Sequence, residues 1–182
     1  QLGHYYGFSV NVYGFSTNAH TLDAQNAFER GLNATIPALA GADELSGIGE
    51  MEAGVMGSFA QMVLDNELVG SVMRLRGGLS ADVEHLAVEI IGNVMDGTRN
   101  FLGQKHTLKH LRAGELALTK LAERNSWETW EDKMNKKQMA DYATEEAERI
   151  LREHQAPPLE PQQEKELDRI MAAAEKEMIK KK

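Results

Sequence analysis

The sequence contains no cysteine. Disulfides, thiolate nucleophiles and thiolate metal ligands are therefore excluded, and the composition fits a reducing, cytoplasmic compartment. A basic excess is also lacking: 28 acidic against 20 basic side chains give a net charge of -8. Such a surface repels phosphate, so neither a nucleic acid nor a membrane surface is an expected partner. No apolar run is long enough to span a bilayer, and no signal-peptide pattern opens the chain. An initiator methionine is missing too, and Gln1-Leu2-Gly3-His4 leads almost at once into an apolar, strand-like stretch. The expectation is a piece of a longer polypeptide.

What is present has the length and hydrophobic content of one ordinary globular domain. Its first 78 residues read as two successive strand–loop–helix units. Ser9 to Tyr13 alternates and is rich in β-branched and aromatic residues, as a strand requires. After the polar loop Gly14–His20, a helix is predicted from about Thr21, with Leu22, Phe28, Leu32 and Ile36 on one face and Pro37 and Gly41 bracketing its end. Leu45 to Ile48 is a second strand candidate, followed by a Gly- and Glu-containing loop to Gly57. Ser58 then caps a helix striped by Phe59, Met62, Val63, Val69, Val72 and Met73. The strands are spaced by roughly 35 residues, the usual size of a βα unit, and repeated βα units imply a parallel sheet.

Residues 79–155 read as helical: Val83, Leu86, Ile90 and Val94 behind a Ser80 cap, then Leu108, Leu111, Leu118 and Leu121. The aromatic anchor Trp127/Trp130 follows, and then a helix marked by Met139, Ala143, Ala147, Ile150 and Leu151. Residues 156–182 comprise the Ala156-Pro157-Pro158 break and a last charged helix, Glu164 to Lys180, whose charges suit a solvated face. Two strands make a poor independent sheet, so a missing N-terminal partner or completion by association, including homo-oligomers, is expected.

In βα architectures the loops after the strands carry the site. Here they offer Ser16, Thr17, Asn18 and His20, and then Glu50 and Glu52 among glycines. Carboxylates there disfavour phosphate, and Gly47-Ile48-Gly49-Glu50-Met51-Glu52 lacks the third glycine of a dinucleotide fingerprint. Acidic and aromatic residues together suit a cation. Tyr5, Tyr6, Phe8, Tyr13, Phe15 and Phe59 lie near these loops in sequence, and each desolvated ring is worth on the order of 1–2 kcal/mol to a quaternary ammonium. The same aromatics equally suit a hydrophobic core. His106 and His110 have a zinc-compatible i, i+4 spacing, but Thr107-Leu108-Lys109 between them lacks the zincin glutamate and Lys105 and Lys109 make the surroundings positive. A structural or interface role is expected there, and no metal site. Serine catalysis has no support, since Gly57-Ser58-Phe59 is not an elbow motif.

Four stretches carry a family resemblance: Val12-Tyr13-Gly14-Phe15-Ser16-Thr17-Asn18, Ile36 to Gly49, Gly57 to Glu67, and Phe101-Leu102-Gly103-Gln104-Lys105-His106-Thr107. With these the chain closely resembles the trimethylamine methyltransferase superfamily, over most of its length and including the double-proline break. The resemblance implies an α/β fold: the C-terminal portion of a TIM (β/α)8 barrel, its last two βα units, followed by a mainly helical extension. The chain would correspond to roughly the last third of such a protein. Ser16 stands where the archaeal trimethylamine enzymes carry pyrrolysine, which points to the branch without pyrrolysine, resembling glycine betaine:corrinoid methyltransferases.

The implied reaction moves a methyl group from a quaternary amine, or a trimethylamine-type tertiary one, to the Co(I) corrinoid of a cognate partner protein. No cofactor would be bound by this chain itself. A quaternary ammonium already carries its charge, so a neutral tertiary amine departs without activation by an unusual residue. The implied roles are countercharge from Glu52, with Glu50 second, cation–π contact from Tyr13 and Phe15, and polar orientation by Asn18, His20 and Gln61, with Ser16 lining the pocket. Asp65-Asn66-Glu67, further into its helix, suits structural hydrogen bonding. Two rival readings remain: a non-catalytic module that binds quaternary amines or docks a partner, and a helical interaction protein.

Overall fold

After a single helical turn, α1 (Leu2–Tyr5), the run of β-branched and aromatic residues forms a strand, though a short one. In the computed structural model, which describes residues 1–179, β1 (Asn11–Val12) pairs in parallel with β2 (Glu44–Leu45), Asn11 opposite Glu44 and Val12 opposite Leu45. A parallel pair needs a crossover, and α2 (Ala24–Leu39) supplies it. The order strand, helix, parallel strand, helix is completed by α3 (Phe59–Arg76), which packs against α2. Both helices begin where their capping chemistry dictates. The Asp23 carboxylate accepts from the Asn26 N–H at 3.0 Å, and the Ser58 hydroxyl accepts from the Gln61 N–H at 3.2 Å.

The stretch before α3 differs from the open loop expected there. It is an antiparallel hairpin, β3 (Glu50–Met51) against β4 (Met56–Gly57), joined by a 3-10 turn over Glu52–Gly54. Backbone amides that water would otherwise have to satisfy pair across it.

The apolar stripes also require correction. Phe28, Leu32 and Ile36 on α2 are exposed, as are Phe59, Met62 and Met73 on α3. Of the expected α3 stripe Val72 is buried; the other buried residues are Asn26, Arg30, Ala34 and Ala38 on α2, and Gln61 and Asp65 on α3. The reason is an ion pair. The Arg30 guanidinium lies 2.7 Å from the Asp65 carboxylate, and the two residues are 2% and 0% exposed. Once this pair forms, the rotation of both helices about their axes is fixed, whichever face carries the larger apolar residues. Small residues then let the helices close on a core of Phe15, Ala34, Ala38 and Val72, backed by Leu45, Leu68 and Val69.

Beyond Gly78 the helices are shorter than their periodicity suggests. Asp82, rather than Ser80, caps α4 (Val83–Leu86), and Ala87 at φ 50° separates it from α5 (Val88–Asp96). The carboxylate one residue before Val83 outcompetes the more distant hydroxyl because it reaches the free His85 N–H, at 2.9 Å. α6 (Lys105–Arg112) stops at Gly114, whose φ of 80° suits a residue without Cβ, so Leu118 and Leu121 lie outside it. α7 (Trp127–Asp132) holds the tryptophan pair with ring centroids 5.0 Å apart, and α8 (Met139–Glu153) buries Ala143 and Ala147. Residues 154–160, around the double proline, have no regular structure, and α9 is Pro161–Ile179. The expected helix end at Lys180 lies outside the described residues. Gln1–Arg149 form one compact unit and the chain from Ile150 onward a second. Among the described residues no helix is long and apolar enough to cross a membrane.

Removing one partner of the buried pair leaves an uncompensated charge. Asp65→Ala is expected to cost about 3–5 kcal/mol in urea unfolding followed by circular dichroism. Ser58→Ala, which only uncaps α3, is expected to cost about 1 kcal/mol in the same measurement.

Candidate functional site

The two loops that follow β1 and β2 are joined through their backbones. The Glu52 N–H donates to the Ala19 carbonyl at 3.2 Å, and the Ala53 N–H to the Thr17 carbonyl at 2.9 Å. This junction is made by residues in an unfavourable conformation: Glu52 at φ 50°, Ala53 at φ 53° and Gly54 at φ 87° form a left-handed run. For the two non-glycine residues that costs on the order of 1–3 kcal/mol each, and it persists because the surroundings hold it.

Beneath the loops lies the ion pair. Asp65 accepts from Arg30, from the Gly49 N–H at 2.7 Å and from the Gln61 side-chain amide at 2.8 Å. The other arm of the guanidinium donates to the Glu50 carbonyl. Burial pushes the Asp65 carboxyl up, against the hydrogen bonds and the guanidinium that lower it, while burial lowers Arg30. The backbone on both sides of Gly49 is thus tied to α2 and α3 by charge-assisted bonds.

The sequence candidates fall into three groups. Tyr13 and Glu50 converge: a Cβ added to Gly54 would lie 2.9 Å from the Tyr13 hydroxyl and 3.3 Å from a Glu50 carboxylate oxygen. Gly47, at φ 95°, lies against the same tyrosine ring, whose Cε2 is 3.1 Å from where its Cβ would be. His20 and Glu52 form the second group, Nδ1 to Oε1 at 3.8 Å, both well exposed and hence weakly coupled. Near them on the first loop, Asn18 is exposed and Ser16 half-buried, its carbonyl accepting from the Asn33 amide at 3.1 Å. Phe15 and Gln61 form the third group, below the surface. Phe15 is 1% exposed in the core, and Gln61 is 1% exposed with its amide on Asp65.

Two residues that hold the loops in place were not read from the sequence. Arg30 was hidden because it carries no apolar periodicity, although it falls on the Asn26, Ala34, Ala38 line at helical spacing. Glu29 fixes the first loop: it accepts from the Thr17 hydroxyl at 2.7 Å and the Asn18 N–H at 2.8 Å. Those bonds and that from Gln25 hold its carboxyl below the usual range. Asp65 does have the hydrogen-bonding role expected of it. A cavity of about 320 Å³ lined by Asn26, Arg30, Gln61, Leu64 and Asp65 includes none of the loop candidates, only Gln61 of α3. The loop surface itself presents carboxylates, a phenol and an imidazole, a set that attracts a cation and repels an anion.

Comparison with known proteins places the sequence in a family. The family model for trimethylamine methyltransferase (MTTB) matches residues 1–179. Trimethylamine methyltransferase MttB of Desulfitobacterium hafniense is 35% identical over 160 residues, covering 87% of this chain and 31% of that protein. MttB2 of Methanosarcina mazei is 31% identical, over 97% of this chain and 35% of its own length. The glycine betaine methyltransferase of D. hafniense strain Y51 is 27% identical over 98% of this chain and 36% of its own length. The chain thus spans about a third of the length of the curated relatives it matches. On the match across residues 1–179, this chain belongs to the trimethylamine methyltransferase family.

Proposed function

We propose that residues 1–78 are the last two βα units of a TIM-type barrel, and that the whole enzyme demethylates a quaternary amine of the glycine betaine type. Residues 79–155 and 156–182 would be the helical extension and its terminal helix. The observation that carries the reading is the convergence of the Tyr13 hydroxyl and the Glu50 carboxylate over Gly54, beside the strained turn that presents Glu52 to His20. An aromatic face with nearby carboxylates is the recipe for a quaternary ammonium. The relatives named as trimethylamine and glycine betaine methyltransferases support N-methyl compounds as the substrate class. Ser16 at the pyrrolysine position favours the quaternary substrate over trimethylamine.

A corrinoid carried by a partner protein would supply the Co(I) nucleophile. The residues of this chain bind and orient. Glu52 provides countercharge, with Glu50 beside Tyr13 as the second carboxylate, and Tyr13 contributes its ring face. Asn18, Ser16 and His20 orient the polar end of the substrate. Phe15 and Gln61 act from below, by fixing the floor on which the loops rest. As the N–C bond breaks, the ammonium becomes a neutral tertiary amine. Carboxylates hold the cation more strongly than that amine, so the rate gain comes from alignment and exclusion of water rather than from charge at the transition state. The apolar residues turned outward on α2 and α3 suit burial against the other barrel units.

The test uses a protein of the relatives' full length, a reduced corrinoid protein, and a panel of quaternary amines with trimethylamine, followed by the corrinoid's visible spectrum. One quaternary amine is expected to react, and Glu52→Gln is expected to lower kcat/KM roughly 10–100-fold. Binding without turnover would favour the non-catalytic module, and turnover of trimethylamine alone would reassign the substrate. Gly54→Ala, which drives a methyl group against Tyr13 and Glu50 at a left-handed φ, is expected to lower turnover roughly 100-fold. Thermal unfolding of that variant shows whether the loss is local.

A further inference from the structure

The histidines outside the loops come together in a way their spacing does not reveal. Asp82 caps α4, and its carboxylate also holds the His85 ring through Nδ1 at 2.8 Å. Bonding at Nδ1 leaves Nε2 of His85 as the free donor atom, and this nitrogen lies 3.6 Å from a Glu115 carboxylate oxygen. Glu115 is brought there by the end of α6. The Gly114 N–H donates to the Leu111 carbonyl and the Glu115 N–H to the His110 carbonyl, the paired bonds of a Schellman turn, which fold Glu115 back over His110. The His110 ring stacks edgewise on that of His85 with centroids 5.0 Å apart, and its Nε2 is buried without a hydrogen-bond partner. Donor atoms of His85, His110 and Glu115 all lie within 4.8 Å of one another.

We propose that His85, His110 and Glu115 form a binding site for a divalent transition metal of the zinc class, with Asp82 as the outer carboxylate that orients His85. A tetrahedral ion with bonds of about 2.0–2.1 Å holds its ligand atoms about 3.3 Å apart, so the 3.6 Å His85–Glu115 separation needs to close by a few tenths of an ångström and the widest in the set, up to 4.8 Å, by up to about 1.5 Å through side-chain rotation. Two imidazoles and one carboxylate leave a fourth position for water. A carboxylate on the far nitrogen of a ligating histidine is the usual second partner of such sites. An imidazole nitrogen buried without a hydrogen bond is costly, and a metal would satisfy it. Opposing charges are present: Arg74 pairs with Glu115, and Lys109 with Glu84. Glu84 also stands 3.6 Å from His110 Nε2 and offsets part of that positive charge. The site is distinct from the i, i+4 pair His106/His110, since the Nε2 of His106 is engaged by the Glu84 carbonyl at 2.8 Å. A bound ion would clip α4, α6 and the Glu115 turn together.

The experiment titrates the 182-residue chain with Zn2+ against a competing chelator, and with Co2+ to read the ligand-field bands of a tetrahedral site. One ion per chain is expected. His85→Gln and His110→Gln are each expected to weaken binding at least about 100-fold. Asp82→Asn, which keeps an N-cap residue but removes the carboxylate, should weaken it about 10–100-fold. His106→Gln should leave the affinity unchanged, and circular dichroism checks that each variant folds. Affinity unmoved by His85→Gln, or lost equally in His106→Gln, overturns the assignment, as does the absence of a one-to-one complex.

Discussion

Everything above the helices rests on the Arg30–Asp65 pair. Two charges with almost no exposure can coexist only by satisfying each other and their neighbours, and they recruit the Gly49 N–H, the Glu50 carbonyl and the Gln61 amide to do so. Three separate elements are thereby locked to one point: α2, α3 and the hairpin that carries the acidic turn. Such a pair contributes little net stability compared with a packed apolar alternative. Its effect is specificity, since one rotation of each helix and one path of the loop bring these five groups together, with Arg30 Nε and Gln61 Oε1 left buried without a hydrogen bond.

The left-handed turn at Glu52–Gly54 depends on that anchoring. A strained backbone persists only if the surroundings over-determine it, and here they do so from two sides. The hairpin is held from below through Gly49 and Glu50, and from the neighbouring loop through Thr17 and Ala19. Glu29 in turn fixes Thr17 and Asn18. Each loop is therefore positioned by a charged residue on a helix, and the two loops position each other.

This distribution explains what the sequence could and could not reveal. The parallel βα order, the Ser58 cap, the double-proline break and the loops that meet were all legible, because local chemistry determines them. Asp65 was legible as structural because its depth in the helix removed it from the loop surface. Arg30 was not, because hydrophobic periodicity has no way to mark a buried cation. For the same reason the buried faces of α2 and α3 were assigned to Phe28, Leu32, Phe59 and Met62, residues that periodicity favours and the ion pair turns outward. The convergence of Tyr13 and Glu50 on Gly54 needed coordinates, since Tyr13 is far in sequence from the turn that holds the other two. The histidine cluster was missed for a similar reason: Glu115 is recruited by a helix-ending turn rather than by spacing along a helix.

Ala34, with no exposure at all, gives these dependencies a further reach. It sits one turn beyond Arg30 on the same face of α2, where the absence of a longer side chain sets how closely the two helices approach. A bulkier residue there would move α2 outward as a rigid body. Arg30 would travel with it, and the Glu50 carbonyl, bonded to Arg30, would be drawn along. The geometry of the acidic turn is therefore adjustable from a position that touches none of its residues. Related chains could retune the pocket through helix spacing while every loop residue stays the same.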